Sequence, residues 1–241
     1  MISNQISLRP SLVVRILWAV ASLLVLISVA GQLTVYFTGC SVDHWLVKLF
    51  NVGCEHNMPT LFSAFLLTFA ALLLAVIAVL ERKRNASGVS YWAILSLGFV
   101  FMTVDDLFAL HERLVEPIRG LLGGGNLGFF HFAWVIPGIA LVLVLALFFL
   151  RFWLRLPSKT RFIFLVAASI YLGGSIGFEL IGGYCVEEIQ ESRPLTFIMI
   201  ETIEESLEMA GVIIFIWGLL KYIADNYKEV RFRFDGISEK E

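Results

Sequence analysis

The chain has 241 residues, of which 59% are apolar and only 16% charged, with a mean hydropathy of +0.84 and a formal charge of −2. Soluble domains are about 45–50% apolar, so an ordinary water-soluble domain is excluded. A near-zero net charge also gives no basic footprint for a nucleic acid, and none is expected as a partner.

Six windows of mostly apolar residues, at 12–37, 59–80, 89–110, 129–153, 162–182 and 196–222, are each long enough for a hydrocarbon core of about 30 Å. The predicted fold is all-α: one six-span transmembrane bundle over 1–225, followed by a charged cytoplasmic tail at 226–241. The first window exceeds the 7 to 15 residue apolar core typical of a signal peptide and reads as a retained helix. Lys and Arg divide unevenly between alternate connections. Arg9, Arg15, Arg82, Lys83, Arg84, Arg151, Arg155, Lys159, Arg161, Lys221, Lys228, Arg231, Arg233 and Lys240 fall on one side; Lys48, Arg113, Arg119 and Arg193 fall on the other. Positive residues mark the cytoplasmic side, so both termini are expected there.

The first outer connection holds Cys40, His44 and Cys54. Either Cys40 and Cys54 close a short loop by a disulfide, or these two and Cys185 all stay thiols. Glu55, His56 and Asn57 precede the second window, where Pro59 suits a first helical turn and Glu55 and His56 stand ready to cover a site from outside. The third window carries Asp105 and Asp106 near its outer end, then His111 and Glu112. Seven residues apart, Asp105 and Glu112 share a face on a continuous helix, which leaves Asp106 facing a neighbour or pairing with Arg113. The glycine-rich stretch 120–128 lacks the Lys and Ser or Thr of a phosphate loop. It reads as an outer connection, with a lid over the site as the alternative.

His131 opens the fourth window and Glu179 closes the fifth, which also has Tyr171 and Ser175 at four-residue steps among small residues that let helices approach. The sixth window starts with Glu201, Glu204, Glu205 and Glu208. At about 100° per residue, Glu201, Glu205 and Glu208 fall within about 60° of arc, with Glu204 on the flank. Orientation places all these groups at similar depth near the outer leaflet, and ionisable residues inside a membrane are costly enough to be partnered and functional.

So many carboxylates need neutralisation by a metal, by protons, or by arginines. Arg113, Arg119 and Arg193 are too few. A divalent metal is the expected cofactor, with Asp105, His111, Glu112, His131, Glu179, Glu201, Glu205 and Glu208 as candidate ligands. Carboxylates mixed with imidazoles suit Zn, Mn or Fe, or Ca if the histidines stay out. The Glu-x-x-His spacing of dimetal bundles is missing, so no single metal is singled out. Glu204, off the main stripe, is the candidate catalytic general base.

Glu55, Asn57, Pro59, Thr60 and Ser63, with Asp105-Asp106, His111-Glu112 and Glu204-Glu205-x-x-Glu208-Met209, resemble a family of uncharacterised bacterial six-span membrane proteins. That resemblance implies a multi-pass protein of the cell inner membrane. A fainter likeness is to the alkaline ceramidase group of membrane metallohydrolases. This chain differs from that group in having six spans rather than seven and no histidine in the last helix, so only an intramembrane metal site carries over.

Three classes compete: a membrane-embedded metalloenzyme, a cation or proton transporter, and a non-catalytic subunit or sensor. The inner stretches 92–101 and 211–220 hold no charged residue to line an inward path, which disfavours transport. The expected function is metal-dependent hydrolysis of an amphiphilic, lipid-like substrate reached from the bilayer.

Overall fold

A computed structural model describes residues 9–39, 45–188 and 195–227. Its regular elements there are all helical: α1 (Pro10–Thr38), α2 (Trp45–Phe50), α3 (Met58–Lys83), α4 (Val89–Phe108), α5 (Val115–Leu121), α6 (Val135–Arg155), α7 (Ser158–Leu172), α8 (Glu179–Glu188) and α9 (Leu195–Asn226). A π-helical turn, Gly173–Phe178, joins α7 to α8 into one rod. Six helices, counting that rod as one, are long and apolar enough to cross a membrane. The fold is an all-α bundle of multi-pass type.

The helix ends follow local chemistry. Asn57 caps α3 by accepting the Thr60 N–H at 3.1 Å, and Pro59 occupies the first turn, where its missing N–H costs nothing. α4 stops because Ala109 turns left-handed at φ 46°. α6 starts at Val135, later than the window edge at 129, because Gly128–Phe130 form a 3-10 turn.

α9 is the central helix. It packs on α1, α3 and the α7–α8 rod, while α4 pairs with α3. Leu66, Leu74, Ile77, Ile213, Ile216 and Leu219 are fully buried between these helices. Small residues set the close approach of α7 to α9: a Cβ on Gly211 would stand 2.8 Å from the Tyr171 nitrogen, and one on Gly218 would stand 2.8 Å from Ile163. Large apolar side chains such as Leu97, Phe101, Leu147 and Phe162 point outward, as a lipid-facing surface requires. Because successive spans alternate in direction, the ends of α1, α4 and α8 and the starts of α3, α6 and α9 share one end of the bundle. The basic residues Arg82 to Arg84, Arg155, Lys159 and Lys221 lie at the other. Cys40, the expected partner of Cys54, and the tail beyond Tyr227 lie outside the described residues.

Candidate functional site

The acid-bearing end holds a partly open cavity of about 840 Å³. Asp105, His111, Glu112, His131, Glu179, Glu201, Glu204, Glu205 and Glu208 all line it. Residues separated by up to 103 positions therefore meet in one space, because α4, the α7–α8 rod and α9 deliver them to the same end.

On α4 the continuous-helix expectation fails. Ala109 breaks the helix, so Glu112 begins a separate 3-10 turn instead of stacking above Asp105. Asp105 folds onto that turn: Oδ1 accepts the His111 backbone N–H at 2.9 Å, and Oδ2 lies 2.9 Å from His111 Nδ1. This double contact orients the ring and leaves Nε2 as its other working nitrogen. Burial lowers the His111 pKa, but the hydrogen bond and charge of Asp105 outweigh it, and the net shift is upward. Asp106 lines the cavity in its turn, where sequence spacing aimed it at a neighbour or at Arg113. Its Oδ2 is buried and, among the described residues, accepts no hydrogen bond.

On α9 the four glutamates span two turns, and Asp106 lies within charge range of both Glu205 and Glu208. Glu204 lies within charge range of Glu205 and Glu208 as well, and meets Glu179 carboxyl to carboxyl. Glu179 also accepts the Trp134 indole N–H at 2.7 Å, and the Trp134 ring lies 4.9 Å from that of His111. Glu179 directly follows the π turn Gly173–Phe178. Gly174 abuts the Glu204 carbonyl so closely that a Cβ would stand 2.8 Å from it. Such turns insert one residue into a helix and are frequent at functional sites.

The mouth is bordered by two fixed structures. His131 Nδ1 lies 2.8 Å from Glu187 Oε1 and 2.9 Å from Arg119 Nη1, while Arg119 Nη1 also donates to the His131 carbonyl at 3.0 Å. His131 thus has one ring nitrogen already engaged, by a carboxylate that sequence spacing did not single out. On the other side, residues 51–57 form a turn fastened by a buried hub. Gln32 donates to Ser28 Oγ at 3.0 Å and to Asn51 Oδ1 at 2.5 Å, and Asn57 donates to the Asn51 carbonyl at 2.6 Å. Gly53 of this turn lies directly on Glu201, whose Oε2 a Cβ would approach to 2.6 Å. Glu55 reaches the cavity from the same turn, and burial, then the Glu112 charge, raises its pKa above the ordinary 4.5.

The donor set is rich in carboxylates but not drawn together. Among the described residues, no group of three or more His, Cys, Asp or Glu is placed to hold a metal ion. Glu55, Asp106, Tyr171 and Trp134 belong to the lining beside the nine predicted residues.

No curated protein and no solved structure matches the chain. The likeness to an uncharacterised family has a counterpart in a family model, whereas nothing in these comparisons carries the ceramidase likeness. The model that matches is a domain of unknown function (DUF8692), it covers residues 16–223, and the chain belongs to that family.

Proposed function

We propose that the acidic cavity binds a divalent cation through Asp106, Glu205 and Glu208, and that the protein uses it to hydrolyse an amphiphilic, lipid-like substrate. The observation that carries this reading is Asp106 Oδ2, a buried carboxylate oxygen without a hydrogen-bond partner among the described residues, beside the glutamate stripe of α9. A buried anionic oxygen left unmatched costs several kcal/mol in principle, and a cation removes that cost. The donors converge without closing into a ligand set, so binding requires side-chain rotation toward the ion. A cavity of about 840 Å³ is far larger than an ion and leaves room for a substrate's polar end. A bound cation would polarise a carbonyl or phosphoryl oxygen, or activate water. His111, oriented by Asp105, and Glu204, in carboxyl contact with Glu179, are the proton-transfer candidates.

By the positive-inside rule the cavity opens away from the cytoplasm, and reporter fusions at Arg84, Ser158 and the C-terminus should all report cytoplasm. A second reading, proton storage, is favoured by the Glu179–Glu204 contact, since a carboxyl–carboxyl hydrogen bond needs one proton between the pair.

Elemental analysis of gently purified protein, with chelator added during thermal unfolding, tests the leading reading. Near-stoichiometric metal and a lower melting temperature with chelator are expected, both lost in Asp106→Asn and Glu205→Gln. Metal-free protein whose Asn and Gln variants melt above wild type would transfer the case to proton storage.

A further inference from the structure

A second cavity, of about 160 Å³, lies at the basic end of the bundle, where α3 and α6 finish and α4 begins. Its walls include Tyr91, Trp92, Phe152 and Tyr222. The Trp92 ring stands 5.0 Å from Phe152 and 5.1 Å from Tyr222, and Tyr91 stacks on Phe152 at 4.9 Å, so these aromatic surfaces are held in place by one another. Two opposite charges, Glu81 and Arg155, line the same small space. Among the described residues they form no ion pair with each other, and Arg155 is exposed. Glu81 Oε1 already accepts the hydroxyls of Tyr222, at 2.9 Å, and Tyr227, at 2.5 Å. These hydroxyls fix the carboxylate's orientation, while no hydrogen bond within the described residues goes to Oε2.

A carboxylate held by tyrosine hydroxyls at the wall of an aromatic cavity suits an ammonium group, by hydrogen bond to the carboxylate and by cation–π attraction to the rings that line the same space. A nearby unpaired arginine suits a phosphate. At about 30 Å³ per water, the cavity holds about five waters, enough for a small polar headgroup and far too little for acyl chains. It also lies at the ends of spanning helices, the level of lipid headgroups. We propose that this cavity binds the phosphoethanolamine headgroup of a membrane phospholipid, its ammonium at Glu81 and its phosphate at Arg155. The acyl chains then run along the exposed Leu154, Leu150 and Leu147 of α6. The site is separate from the acidic cavity and does not depend on that cavity's function.

Native mass spectrometry of delipidated full-length protein, titrated with phosphatidylethanolamine, phosphatidylglycerol or phosphatidylcholine of identical chains, tests the assignment. Wild type should bind phosphatidylethanolamine best. Glu81→Gln should weaken that lipid about tenfold, as expected for losing one hydrogen bond to a charged group, and leave phosphatidylglycerol unchanged. Arg155→Gln, at an exposed position that does not threaten folding, should weaken all three. Equal binding of the three lipids by wild type overturns the proposal. So does unchanged phosphatidylethanolamine binding in a folded Glu81→Gln protein or, if that variant does not fold, in Arg155→Gln.

Discussion

Replacing Gly174 by alanine tests the coupling between the π turn and the acidic stripe. The added Cβ would stand 2.8 Å from the Glu204 carbonyl oxygen, 3.1 Å from Leu207 Cβ and 3.2 Å from Glu208 Cγ. A carbon normally keeps about 3.3 Å from a carbonyl oxygen, so the rod must move about 0.5 Å from α9 against backbone that cannot rotate away. Overpacking of this kind costs about 1–3 kcal/mol, partly offset by the better helix propensity of alanine, less than about 1 kcal/mol. A net loss of about 1–2 kcal/mol corresponds to a fall of several degrees in melting temperature for a chain of this size. Gly173 supplies the control, since a Cβ there meets nothing within 4 Å. Thermal unfolding of both variants in the same detergent, followed by circular dichroism, should separate them, with Gly173→Ala close to wild type. Equal melting of Gly173→Ala and Gly174→Ala would refute the claim that the rod is seated on Glu204. The displacement also shifts Glu208, so affinity for the proposed cation should fall with stability in Gly174→Ala alone.

Asp105→Asn should remove a pH dependence. Because the folded-state pKa of His111 is raised above its ordinary 6.5, its stabilising contribution is complete below 6.5 and lost as pH rises through the raised value; melting temperatures across that range should decline in wild type and stay flatter in the variant. Gln32→Ala leaves Ser28 and Asn51 short of a buried donor, at a cost of about 1–3 kcal/mol, and limited proteolysis should then cut the 51–57 turn faster. Glu187→Gln should loosen the Arg119–His131 contact at the mouth, read as faster hydrogen exchange over residues 122–131 with little change elsewhere.

Much of this architecture was legible because the bilayer imposes one simple rule, a long apolar run per span, and the chain obeys it six times. The glutamates of α9 could be placed on one stripe because that helix is unbroken from Leu195 to Asn226. The same logic misplaced Glu112 relative to Asp105, since it assumed that α4 continues through Glu112. A left-handed alanine carries little sequence signal, and once Ala109 turns, the angular bookkeeping beyond it is void. His131 shows the same effect in reverse. It was read on a helix, yet it follows a glycine-dependent 3-10 turn at Gly128–Phe130, and there its ring meets Glu187. Glu187 stayed hidden because α8 extends to Glu188, six residues past the apolar window.

The length of α9 has an electrical consequence. Its 32 residues span about 48 Å at 1.5 Å per residue, well beyond a hydrocarbon core of about 30 Å. The polar cavity descends beside its early turns as far as Glu208. Below that level, residues 211–220 carry no charge and cover only about 15 Å. With solvent filling the cavity, most of a transmembrane voltage would fall across this thin plug, about twice as steeply as across undisturbed bilayer. A cation bound at Glu208 as proposed would sit at the lip of the insulating layer, where its occupancy would respond to membrane voltage as well as to concentration.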